Sequence, residues 1–122
     1  MAAYLYVNSL LYLLFAVWVT LSPWVTAKNI GFEAFSASGR SEYLVVYGGM
    51  ELGFAAFFAL TAFNAEYRRL GLLFALCMYA PIVLYRGITV LRYGPVSSTT
   101  LAVAALEIGL LVWGVVLWTR TP

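Results

Sequence analysis

Residues 43–63 read YLVVYGGMELGFAAFFALTAF, and this stretch decides the class of fold. One charged residue, Glu51, interrupts an apolar run that is long enough, as a helix, to cross the roughly 30 Å hydrocarbon core of a bilayer. Its apolar residues are continuous, whereas the strands of a transmembrane barrel alternate apolar and polar residues. The stretch therefore predicts a membrane-spanning α-helix.

Three further runs of the same kind lie on either side of it, at residues 4–25, 71–91 and 101–119. Residues 4–25 contain no charge, whereas a cleaved signal peptide has a basic start and a shorter apolar core. We therefore expect this run to remain as the first helix. Together the four runs predict an all-α membrane protein, an antiparallel bundle of four transmembrane helices that forms a single domain over residues 1–122.

The composition agrees with this class and excludes much chemistry. Hydrophobic residues make up 64% and charged residues 10% of the 122 residues, against about 45–50% and about 25% in soluble domains. The chain has no His, no Asp and one Cys, Cys77, so zinc sites, disulfides and Ser-His-Asp triads are not expected. We expect no cofactor and no metal ion, and the net charge of +2 does not predict nucleic-acid binding.

The connections are short except for residues 26–42, which hold Ile30, Phe32 and Phe35 among polar neighbours. These residues predict either a short segment that lies along the membrane interface or a solvated loop. Before the fourth run, the sequence SSTT at residues 97–100 supplies candidate N-caps.

The basic residues leave the orientation evenly balanced. Three lie at each end of the predicted helices: on one side Lys28, Arg40 and Arg92, and on the other Arg68, Arg69 and Arg120. The adjacent pair Arg68-Arg69 lies in the shortest turn, which favours cytoplasmic termini under the positive-inside rule.

Three ionisable residues fall inside the predicted helices: Glu51, Arg86 and Glu107. Each costs about 2.5–3.5 kcal/mol at a helix centre, so such residues usually face a partner or a cavity. Counting about 1.5 Å per residue from the helix ends places them about 13, 9 and 10 Å below the same membrane surface. The three charges are therefore expected to lie in one half of the membrane.

We predict that Arg86 lies between Glu51 and Glu107, because a guanidinium can hold one carboxylate bidentately and donate to a second group. Tyr47, one turn before Glu51, and Tyr85, next to Arg86, are candidates to add hydroxyls to this cluster.

Small residues beside the two carboxylates predict close helix packing, at Gly48, Gly49, Gly53 and Gly109. Residues 48–53 and 104–109 also share a pattern of small, small, aliphatic, Glu, aliphatic, Gly. Either a weak internal repeat or chance explains this similarity.

Two carboxylates and one guanidinium leave a net charge of −1, which indicates that one Glu binds a proton or holds a cation. The alternative is a structural clip that fixes the helices and binds nothing. The binding hypothesis predicts that Arg86→Ala leaves a folded protein without its ligand. The clip hypothesis predicts that this variant does not fold.

The pattern resembles the bacterial membrane family called domain of unknown function 4345. The matching positions are Glu42, Tyr47, Gly48, Gly49, Gly53, Arg86 and Glu107. The resemblance implies a four-helix protein of the bacterial cytoplasmic, or inner, membrane, distantly similar in plan to DoxX-like bundles. The chain differs from the family directly after Glu42, where many members have a basic residue and this chain has Tyr43. The family has no assigned activity.

The first functional hypothesis is a protein that binds a hydrophobic small molecule, a lipid or a proton, and assists its transport. The alternative is a structural or accessory subunit that pairs with itself, as a homo-oligomer, or with a larger membrane complex. A lipid-modifying enzyme would need Glu51 or Glu107 as general acid or base. Because no His and no nucleophile with a base accompanies them, we expect no catalytic residue and no enzyme activity.

Overall fold

The computed structural model describes all of residues 1–122, and every regular element in it is helical. Four helical stretches are long and apolar enough to cross a membrane: Ala2–Leu21, Ala37–Phe63, Ala65–Tyr93 and Ser98–Arg120. The predictions of an all-α chain and of four such helices are confirmed.

The first long helix, α1 (Ala2–Leu21), ends before the predicted boundary at residue 25. Ser22 leaves the helical conformation, with φ −138°. Pro23 has no N–H to donate back into α1, and its fixed φ suits the first position of a new helix, α2 (Pro23–Asn29). Residues 23–25 therefore belong to a separate short helix.

The second long helix has three consecutive parts: α3 (Ala37–Tyr43), a π-helical segment (Leu44–Met50) and α4 (Glu51–Phe63). It begins before the predicted residue 43 because Ser36 caps it, accepting a hydrogen bond from the Gly39 N–H at 3.0 Å. Residues 26–42 thus contain most of two short helices, α2 and α3, around a non-helical stretch.

A short 3₁₀ turn, Ala65–Tyr67, leads into α5 (Arg68–Tyr93), which continues through Pro81. The last helix, α6 (Ser98–Arg120), begins after Ser97, whose side chain accepts a hydrogen bond from the Thr100 N–H at 3.3 Å. Of the candidate N-caps in residues 97–100, Ser97 is therefore the one used. Both helices extend slightly beyond the predicted 71–91 and 101–119.

The helices meet most closely near the start of α1, which packs against α4 while α6 packs mainly against α5. There the Tyr4 hydroxyl donates to the Leu110 carbonyl at 3.1 Å, and the Tyr4 ring lies edge-on to Trp113 at 5.2 Å. The main buried core surrounds this point: Tyr4, Leu5, Phe58, Ala62, Leu72, Ala75, Tyr79 and Leu110. Farther along α1, a cavity separates it from α6.

The predicted glycine packing holds at one of four positions. A side chain on Gly48 would lie 3.3 Å from the Thr20 hydroxyl of α1, whereas Gly49, Gly53 and Gly109 have no atom of another element within 4 Å. Those three face away from the neighbouring helices of this chain.

Two other glycines, Gly71 and Gly114, allow side chains of neighbouring helices to pack closely against the backbone. A side chain on Gly71 would collide with Thr61, and one on Gly114 would lie 2.9 Å from the Tyr4 hydroxyl. The sequence predictions overlooked both glycines, because neither lies beside Glu51 or Glu107 in sequence.

Candidate functional site

The three ionisable residues within the long helices, Glu51, Arg86 and Glu107, line one cavity of about 770 Å³. Glu51 enters it from the first turn of α4, Arg86 from α5 and Glu107 from α6. Tyr47 lines the same cavity, one turn before Glu51. The predicted gathering of these four residues around one space agrees with the structure.

Arg86 and Glu107 form a bidentate ion pair. The Arg86 Nε donates to one Glu107 carboxylate oxygen at 2.9 Å, and Nη2 donates to the other at 2.6 Å. The side chains are 34% and 15% exposed, so the pair is largely shielded within the helices. Two parallel charge-assisted hydrogen bonds fix the guanidinium against α6.

Glu51 is not part of this pair, which corrects the prediction that Arg86 lies between two carboxylates. The Arg86–Glu107 contact is the one ion pair in the structure, and the Glu51 side chain has no hydrogen-bond partner within the chain. The physical reason is the helix arrangement: α5 and α6 pack together, whereas α4 packs chiefly against α1. Arg86 of α5 therefore pairs with a carboxylate of α6, the helix that packs against it.

A π-helical segment directly precedes Glu51, which lines the cavity. Residues Leu44–Met50 are wound more widely than an α-helix, and Glu51 follows them directly. Such insertions occur frequently at functional sites, because they rotate the residues that follow relative to the preceding turns. Gly48, within this segment, brings the backbone close to Thr20 of α1.

Tyr85 does not belong to the cavity. Its side chain is 69% exposed, and it is absent from the cavity walls that include Arg86. Successive residues of an α-helix point about 100° apart, so a neighbour in sequence faces a different direction. The prediction that Tyr85 joins the cluster is therefore not supported by the structure.

The cavity walls are rich in aromatic side chains that the sequence predictions did not assign to the site. Six aromatic residues line it: Tyr12, Phe15, Trp18, Phe32, Tyr47 and Tyr79. Only Tyr47 was predicted as a site residue, although helical periodicity places Tyr79 two turns before Arg86 on the same helix face. No local pattern distinguishes Tyr12 from the other tyrosines.

Tyr79 and Leu110 line one part of the cavity, and Tyr4 and Asn8 lie behind them, bonded to Leu110 and Tyr79 respectively. These four residues are called the closed end. The Tyr79 hydroxyl donates to the Asn8 side-chain oxygen at 2.6 Å, and the Asn8 amide donates to the Tyr4 carbonyl at 2.8 Å. Asn8 is fully buried and links α1 to α5. Its polar groups are satisfied inside the protein, as buried polar groups require.

The charged end of the cavity consists of Glu51, Arg86 and Glu107. Leu14 of α1 and Leu106 of α6 line the cavity while 58% and 47% exposed. The cavity is therefore open along the gap between α1 and α6. Nowhere in the structure do three or more carboxylate or thiol side chains converge, so it offers no candidate metal site.

Comparison of the chain with protein-family models, with curated proteins and with solved structures finds no match. The functional inference consequently rests on the cavity and its side chains.

Proposed function

We propose that this chain is a multi-pass membrane protein that binds an amphiphilic small molecule or lipid between α1 and α6, and that it assists the transport of this ligand. In this proposal Ala2–Leu21, Ala37–Phe63, Ala65–Tyr93 and Ser98–Arg120 cross the bilayer as an antiparallel bundle. The resemblance to domain of unknown function 4345 supports the bacterial cytoplasmic membrane as its location. The pair Arg68-Arg69 supports cytoplasmic termini.

The observation that carries the proposal is a cavity that combines apolar walls with three charged side chains, those of Glu51, Arg86 and Glu107. Of its 18 lining residues 13 are hydrophobic, and its volume of about 770 Å³ lies within the 300–1,000 Å³ or so typical of small-molecule sites. An amphiphile matches this distribution, since its chain can lie along the aromatic wall while its head group meets the charged end.

The open side of the cavity indicates the route of entry. Leu14 and Trp18 of α1 and Leu106 of α6 form its rim and are exposed. In a bilayer these side chains contact lipid, so a ligand dissolved in the membrane can enter between the helices without crossing water.

Trp18 provides a test, because its indole lines the cavity. The protein is purified in an uncharged maltoside detergent and titrated with a probe for the apolar part of the ligand, a brominated dodecyl chain that ends in an uncharged, apolar tert-butyl group. Bromine quenches indole fluorescence on contact, so binding predicts saturable quenching that Trp18→Phe removes.

A matched pair of variants separates the cavity from general detergent partitioning. Val103→Phe fills the cavity, whereas Val112→Phe makes the same change on an exposed part of α6 outside it. We expect the first variant to weaken saturable quenching and the second to leave it unchanged. Quenching that rises linearly, and equally in all variants, would contradict the proposal.

A second candidate function is the structural or accessory subunit, favoured by the open faces of Gly49 and Gly53. No atom of another element lies within 4 Å of a side chain at either position, so a helix from a second copy or from another membrane protein could approach closely there. Crosslinking in native membranes that yields only monomer would exclude this function.

A further inference from the structure

The proposed ligand site has a charge that the protein itself does not balance. Three charged residues line the cavity, and two of them, Arg86 and Glu107, neutralise each other through the bidentate pair. Glu51 remains as a carboxylate without a cationic partner. The other lining residues are uncharged.

The basic side chains in or beside the connections that follow the first and third long helices contact other parts of the chain. Lys28 Nζ lies 5.1 Å from the centre of the Trp24 ring, and the Arg92 guanidinium lies 5.5 Å from that of Tyr93. Arg40 lines a separate, smaller pocket beside Trp24. None of the three lines the large cavity or pairs with Glu51.

The aromatic walls of the cavity, like the unpaired Glu51, favour a positively charged ligand. Aromatic ring faces attract cations, and quaternary ammonium groups are commonly held in aromatic cages. Trp18, Phe32 and Tyr47 line the cavity together with Glu51. An ammonium head can therefore meet a carboxylate and ring faces in one space.

An anionic head group lacks an uncompensated cationic partner. Arg86 already donates from Nε and Nη2 to Glu107 and is neutralised by it, so that only its remaining N–H groups are left for a second anion. An anionic head group would also bring a second negative charge into the cavity with Glu51, where the low dielectric strengthens repulsion.

From this charge distribution we infer that the ligand is an amphiphilic monovalent organic cation, an amine or quaternary ammonium with an apolar body, and that Glu51 is its counter-ion. This inference rests on the proposed function and narrows it to one class of ligand. Arg86 and Glu107 serve as a neutral wall beside the bound head group.

The test compares two probes that differ only in charge. Both have the brominated dodecyl chain; one has a trimethylammonium head, and the other the tert-butyl head, in which carbon replaces nitrogen at the same size. With Trp18 quenching as the signal, we expect the cation to bind at least about tenfold more tightly, because a close charge pair gains strongly in a poorly hydrated site. A carboxylate head on the same chain is expected to bind most weakly.

Glu51→Gln is expected to abolish the tenfold preference, and circular dichroism checks that the variant is folded. Glu42→Gln is the matched control, since it removes the same charge from an exposed position outside the cavity. We expect it to keep the preference.

Equal binding of the two probes to the wild-type protein, a measurement that needs no variant, would overturn the inference and leave the proposed function intact. A preference that persists in Glu51→Gln, or tighter binding of the carboxylate probe, would overturn it as well. Saturable quenching by none of the probes would instead refute the proposed function.

Discussion

The closed end and the charged end of the cavity both contain polar side chains, but they differ in how those groups are satisfied. At the closed end Tyr4, Asn8 and Tyr79 are neutral, buried and hydrogen-bonded to one another or to Leu110. At the charged end one of three ionisable groups, Glu51, has no ion-pair or hydrogen-bond partner within the chain. The polar groups of the closed end therefore hold the helices together, whereas the Glu51 carboxyl group is available to a ligand.

The largest effect is expected where the closed end is packed most tightly. Gly114→Val places a branched side chain against the Tyr4 hydroxyl and Leu76, and such overpacking costs about 2–3 kcal/mol. The measurement is thermal unfolding in detergent, followed by circular dichroism.

Gly109→Val is the control for this prediction. It lies on the same helix but has no atom of another element within 4 Å, so we expect little change in stability. Equal losses in the two variants would show that α1 and α6 do not meet as described.

A smaller effect is expected from the hydrogen bonds of the closed end. Tyr79→Phe removes the donor to the Asn8 oxygen and leaves a buried acceptor unpaired, at a cost of about 1–2 kcal/mol. Tyr85→Phe makes the same change on an exposed side chain outside the cavity, and its stability should match the wild type. The same unfolding assay measures both, and a Tyr79→Phe variant as stable as Tyr85→Phe would contradict the described network.

The sequence predicted which charges would share a space, because the rise of a helix fixes the depth of each residue. Counting from the helix ends was enough to place Glu51, Arg86 and Glu107 at one level. It was not enough to pair them, since pairing depends on which helices are neighbours and how each is rotated. Arg86 consequently pairs with Glu107 alone.

The errors at other positions have the same origin. Tyr85 is next to Arg86 in sequence yet faces outward, and Gly49, Gly53 and Gly109 face away from the neighbouring helices. The π-helical segment before Glu51 was not predicted, since residues 43–63 were expected to form one regular α-helix. The first helix ends at Leu21 and not at the predicted residue 25, because Pro23 begins a new helix.

The most direct measurement compares the two carboxylates of the charged end by the same substitution, at pH 7 and without ligand. Glu107→Gln breaks the bidentate pair, which is partly shielded, and should lower the unfolding free energy by about 1–2 kcal/mol. Glu51→Gln removes an uncompensated charge and should raise it by about 0.5–1 kcal/mol, with Glu42→Gln as the reference. Opposite signs would support Glu51 as the unpaired carboxylate of the cavity, and a loss of stability in both variants would contradict it.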